Sequence, residues 1–84
     1  MDDQSILTTI ERLVAEEQAL HAREQDEAAH GQDPAEDRDR LAAVSVELDR
    51  CWDLLRQRRA LRDAGANPDD AQTRDPSTVE RYLQ

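Results

Sequence analysis

The sequence predicts an all-α protein: an antiparallel, coiled-coil-like two-helix hairpin with a short C-terminal helix, dimerising into a four-helix bundle. Three observations carry this. Apolar residues recur at alternating spacings of three and four in two long stretches, the period of one helix face. The two glycines and three prolines fall only at Gly31 and Pro34, at Gly65 and Pro68, and at Pro76, so the stretches between are uninterrupted. Folding the chain about residue 32 brings the two apolar faces into register.

The first helix is expected over about 3–30, with Asp2 or Asp3 as its cap. Ile6, Ile10, Leu13, Glu17 and Leu20 form its seam, widened by Leu7 and Val14. Gly31 supplies the stop, and the turn takes about 31–33. His30 lies where it can help close that end. Asp33-Pro34-Ala35-Glu36 is a start signal. Aspartate accepts from a free amide, proline occupies the first turn without loss, and glutamate completes the box. The second helix follows over about 34–64, with Leu41, Val44, Leu48, Cys51, Leu55 and Arg58 as its seam. Pairs such as Glu36–Arg40, Glu47–Arg50, Asp53–Arg56 and Arg59–Asp63 can support its surface. Gly65 and Asn67-Pro68 end it.

Helices of such lengths would run about 40 and 46 Å. A link of a few residues between matched helices implies an antiparallel hairpin over residues 1–65. In the register centred on residue 32, Ile6 faces Arg58, Ile10 faces Leu55, Leu13 faces Cys51, Glu17 faces Leu48 and Leu20 faces Val44. Residues 66–84 read as a polar linker, then a short helix begun by Asp75-Pro76-Ser77-Thr78 and carrying Val79, Tyr82 and Leu83. So short a helix needs a surface to dock on.

Two helices share a single seam, and chains of this size usually need more burial than that to be stable. Trp52, Leu54, Leu61 and Val46 lie off the seam. They are the candidate dimer interface, with Trp52 as its anchor, because aromatic residues dominate interface energetics.

Composition excludes several functions. The net charge is −9, and all eleven basic residues are arginine. Nonspecific binding to nucleic acid or to an anionic membrane is disfavoured, since phosphates would be repelled. No apolar run approaches the roughly 20 residues of a membrane span. The N-terminus has no basic and apolar leader pattern, so a cytoplasmic location is expected. One cysteine cannot form an intrachain disulfide.

The remaining candidates read as structural. Cys51 sits on the seam, where a thiol behaves as a small hydrophobe. Arg56, Arg58, Arg59 and Arg62 resemble a basic patch, yet they spread over about 160° of helix surface. They sit at a helix C-terminus, where cations offset the macrodipole. The hairpin sets them beside Asp2, Asp3 and Glu11, so ion pairs within or between chains are expected. Residues 1–33 hold nine acids and two arginines, and residues 34–65 seven of each. Glu17, His21 and Glu24 share one face, but their spacing is one longer than the Glu-x-x-His of di-metal bundles. A polar layer is expected there, with no metal and no cofactor. No phosphate loop or nucleophile pattern is present in the sequence, so no enzyme activity is expected.

Four segments, MDDQSI with I-E-x-L-V-A-E-E, ELDRCWDLLRQRRALR, G-x-N-P-D-x-A and V-E-x-Y-L-Q, resemble a small actinobacterial family, domain-of-unknown-function family 2630. The resemblance covers nearly the whole chain. It implies a short stand-alone protein of a high-GC bacterium, and it brings no activity, ligand or catalytic residue. The functional expectation is a self-associating interaction or scaffolding module, a homodimer with an unidentified protein partner. The alternative is a small acidic regulator that sequesters a basic or nucleic-acid-binding protein.

Overall fold

A computed structural model describes residues 2–25, 34–75, 77 and 79. Among them every regular element is helical: α1 over Asp3–Gln25, α2 over Pro34–Asp63, and a 3₁₀ turn over Pro68–Asp70. The expected continuation of the first helix to residue 30, the turn at 31–33 and the Asp33 cap lie outside the described residues, as do His30, Tyr82 and Leu83.

Local chemistry sets the ends. The Ser5 amide donates to Asp2 Oδ1 at 2.8 Å, so Asp2 is the cap of α1. That same bond holds the Asp2 carboxyl below its ordinary range. At the end of α2 the Gly65 amide donates to the Arg62 carbonyl at 3.0 Å and the Ala66 amide to the Leu61 carbonyl at 2.8 Å. This paired closure needs a left-handed residue, and Gly65 has φ 77. Open space surrounds the position where a Cβ would lie. Glycine is therefore required there by backbone conformation, not by crowding.

The two helices pack antiparallel. Ile6, Ile10, Leu13, Leu20, Val44 and Leu48 are buried between them, with Val14, Leu41, Cys51, Leu54 and Leu55 partly buried around that core. At the open end Asp3 accepts from both Arg58 and Arg62, as the expected register requires. Toward the closed end the cross-helix pairs fall one to two turns earlier on α2: Arg23 reaches Asp37 at 3.1 Å and Arg40 reaches Glu16. Arg40 thus bridges the helices, where the sequence suggested a pair with Glu36.

Residues 66–75 are not a free linker. They run back along α2, held through its polar side chains. Gln57 Nε2 donates to the Gln72 carbonyl at 2.7 Å, and Arg50 Nε to the Arg74 carbonyl at 3.1 Å. Arg58 Nη1 reaches Asp69 Oδ1 at 2.9 Å. Asp75 Oδ1 accepts from the Ser77 amide at 2.9 Å, the cap expected from the sequence, and the Val79 amide donates to the Asp75 carbonyl at 3.1 Å. Val79 is fully buried. Residues 66–75 and Val79 are thus part of the fold.

Candidate interaction surface

Viewed along the hairpin, each helix has a seam and two flanks. At about 100° per residue, Thr9 and Glu16 lie to one side of the α1 seam, and Leu7 and Val14 to the other. On α2, Arg40 and Leu54 lie to one side and Trp52 to the other. The contacts decide which flanks match. Glu16 meets Arg40, with Arg40 Nη2 2.9 Å from Glu16 Oε2. Ile6, Thr9, Cys51, Leu54 and Thr73 of the tail line one cavity of about 210 Å³. The tail therefore occupies the flank of Thr9 and Leu54. Leu7, Val14 and Trp52 share the opposite flank, away from that cavity and from residues 66–75.

The four residues expected to meet a second copy divide accordingly. Leu54 packs against the core. Leu61 borders a cavity whose other walls include Asp70, Ala71 and Arg74, so its cover comes from the same chain. Val46 is half-buried. Trp52 stands out: it is 49% exposed, and Leu7, at 38% the other exposed large hydrophobic among the described residues, lies on its flank. Val14, beside Leu7 on that flank, and the seam residues Leu41 and Leu55 are half-buried against the core. Leu7 was read from sequence only as a widening of the seam.

The arginines near the end of α2 have separate tasks. Arg58 is buried between Asp3 and Asp69, and Arg62 joins it on Asp3, its Nη2 2.7 Å from Oδ2. Arg56 donates to Asp53 at 2.8 Å. Arg59 is exposed on the Trp52 flank. The expected Glu47–Arg50 pair forms at 3.1 Å.

Hydrogen bonds from Arg62 and Arg58 hold the Asp3 carboxyl down from 3.8 to about 2. A depressed carboxylate stabilises the fold at pH above its unfolded value, and the contribution is lost as pH falls through the folded value. Stability is therefore expected to drop between pH 3.8 and about 2, and Asp3→Asn should make that drop shallower. Urea midpoints measured across this window check it; an unchanged slope would remove Asp3 from the acid response.

Sequence reasoning paired Asp53 with Arg56, and that pair forms, but it missed the burial of Asp53. This carboxylate is fully buried. It accepts from Arg56, from Gln57 Nε2 at 2.9 Å, and faces Arg74 Nε at 3.6 Å. The available signal was a second stripe, Val46, Arg50, Asp53 and Gln57, again spaced four, three and four. The sequence reading took it apart instead, with Val46 assigned to a dimer interface and Arg50 and Asp53 to surface ion pairs.

The seam thiol, Cys51, is half-buried, and burial followed by the charge of Glu47 pushes its pKa up. That favours the inert thiol over a reactive thiolate. His21 Nδ1 lies 3.7 Å from Glu24. Among the described residues no group of three or more His, Cys, Asp or Glu converges on a point, and no helix is long and apolar enough to cross a membrane.

A family model described as "Protein of unknown function (DUF2630)" matches residues 2–84. Uncharacterised proteins of Mycobacterium bovis and Mycobacterium tuberculosis are 46% identical over 81 residues, covering 95% of this chain and 88% of each relative. These relatives are mycobacterial, in keeping with the actinobacterial family that the sequence resembles. No solved structure matches the chain.

Proposed function

The chain belongs to the DUF2630 family of proteins of unknown function, and we propose that it acts as a non-enzymatic interaction module that self-associates through the flank of Leu7, Val14 and Trp52. One observation carries this reading: Leu7 and Trp52, the two exposed large hydrophobics among the described residues, lie together on the flank away from residues 66–75. Half-exposed tryptophan is costly to leave in water, and tryptophan is among the residues that most often anchor interfaces.

The expected behaviour is a dimer at micromolar concentration in sedimentation velocity. Trp52→Ala should weaken it by about 30-fold, since an anchoring tryptophan contributes about 2 kcal/mol or more. A folded wild-type monomer at that concentration would sink the proposal, and a variant that associates unchanged would take Trp52 out of the interface. The decoy role has less support. Asp3 and Glu16 of α1 already answer arginines of α2, which leaves fewer free acids for an outside partner. A salt series separates the two, because decoy binding would collapse on screening and apolar docking would persist.

A further inference from the structure

We propose that the stripe of α2 beneath residues 66–75 is a binding site for an extended peptide of another protein, and that this chain's own segment is a loosely fitting occupant of it. The peptide it fits has large apolar side chains at the places of Ala71 and Thr73 and an arginine at the place of Arg74. The site lies away from the Trp52 flank and does not depend on self-association.

The stripe reads backbone before side chain. Gln57 Nε2 donates to the Gln72 carbonyl at 2.7 Å, and Gln57 Oε1 accepts from the Gln72 amide at 3.4 Å. One side-chain amide thus satisfies both backbone groups of one residue, as a neighbouring strand would. Two residues on, Arg50 Nε donates to the Arg74 carbonyl at 3.1 Å. These contacts hold whatever side chains the bound segment carries. The side chain that is read is arginine: Arg74 Nε lies 3.6 Å from Asp53 Oδ2, and that carboxylate is fully buried.

The present occupant underfills the site. Residues 66–75 carry no leucine, isoleucine, valine, methionine or aromatic residue, yet the surface they cover is partly apolar. Ala71 borders a cavity of about 300 Å³ together with Ala60 and Leu61. Thr73 borders the cavity of about 210 Å³ together with Ile6, Cys51 and Leu54. Leucine at either place adds only a few carbons, a fraction of what each cavity holds, and burying it strengthens binding by roughly ten-fold or more. A segment gripped by polar contacts with little apolar burial is among the first parts of a fold to open. A better-fitting segment can then take its place by mass action.

The probe is a fluorescein-labelled peptide copy of residues 66–75 carrying Ala71→Leu and Thr73→Leu, followed by anisotropy against full-length chains. It is expected to bind the wild-type chain saturably. It should bind the Arg74→Ala chain about ten-fold tighter, because a tethered segment without its arginine competes less well. Replacing the arginine of the peptide by alanine should weaken binding by about ten-fold, the loss of one charge-assisted contact. The unaltered copy of residues 66–75 should be weaker by a similar factor, and Trp52→Ala in the chain should change nothing. The wild-type chain carries the test even where Arg74→Ala lowers stability. Absence of saturable binding, equal affinity for the wild-type and Arg74→Ala chains, or an unaltered copy that binds as well as the leucine peptide would each overturn the proposal. Binding lost with Trp52→Ala would place the peptide on the other flank and overturn this site, leaving self-association to its own sedimentation test.

Discussion

Replacing Ile6 by alanine is expected to remove about 3 kcal/mol of stability, the middle of the range for truncating a buried isoleucine. Ile6 is fully buried, one turn from the Asp2 cap and next to the pairing of Asp3 with Arg58 and Arg62. Its position therefore couples the apolar core to the ion pairs that close the open end. The upper end of the range is not expected, because the cavity beside Ile6 lets neighbouring groups or water relax into the vacated space. A chain of this size has about 4–13 kcal/mol in total, so the loss removes a large share of the whole. Urea unfolding followed by far-ultraviolet circular dichroism at one fixed protein concentration reads it. Concentration matters because association adds to apparent stability. A loss below about 1 kcal/mol would mean that the helices do not close over Ile6.

The seam was legible because helix geometry alone turns a three-four spacing into a face. Ile6, Ile10, Leu13, Leu20, Val44 and Leu48 needed no knowledge of what lay opposite. Arg58 was legible by the same route: it stands at a seam position, and folding at residue 32 put acids beside it. Three things were not legible. The first is the path of residues 66–75. Their hold on α2 runs largely through the carbonyls of Pro68, Gln72 and Arg74, and every residue has a carbonyl, so composition cannot mark them. The second follows from the first. Leu54 and Leu61 looked like surplus apolar surface awaiting another chain. Within this chain Leu54 packs against the core and Leu61 is met by residues 70–74 of the tail, while Trp52 stays exposed. The offset of Glu16 and Arg23 toward earlier partners on α2 was also hidden, since it depends on how the helices cross and not on their spacing.

Asp53→Ala is expected to cost about 2–3 kcal/mol and to free the tail. The carboxylate is wholly buried and makes charge-assisted bonds to Arg56 and Gln57 while facing Arg74. Removing one member of a fully buried ion pair costs about 3–5 kcal/mol. Here the effect is smaller, because Arg56 and Arg74 remain 47% and 34% exposed and can turn back to water. Asp53→Asn should cost nearly as much, since its amide would turn a donor toward side chains that are already donors. The tail is the sharper readout. Arg74 is held by its carbonyl through Arg50 and by its guanidinium through Asp53, so losing the carboxylate removes one of its tethers. Trypsin should then cut after Arg74 faster, and the amides of Gln72 and Val79 should exchange with solvent before those of Ile10 in the core. The freed stripe would bare Leu54 and Leu61 and give the variant a second apolar face. Its association should therefore lose its dependence on Trp52: Asp53→Ala with Trp52→Ala should still self-associate, through the face the tail had covered. If the double variant stays monomeric with its tail released, the covered stripe has no adhesive role. If the single variant keeps its protease resistance, Asp53 is not what holds the tail.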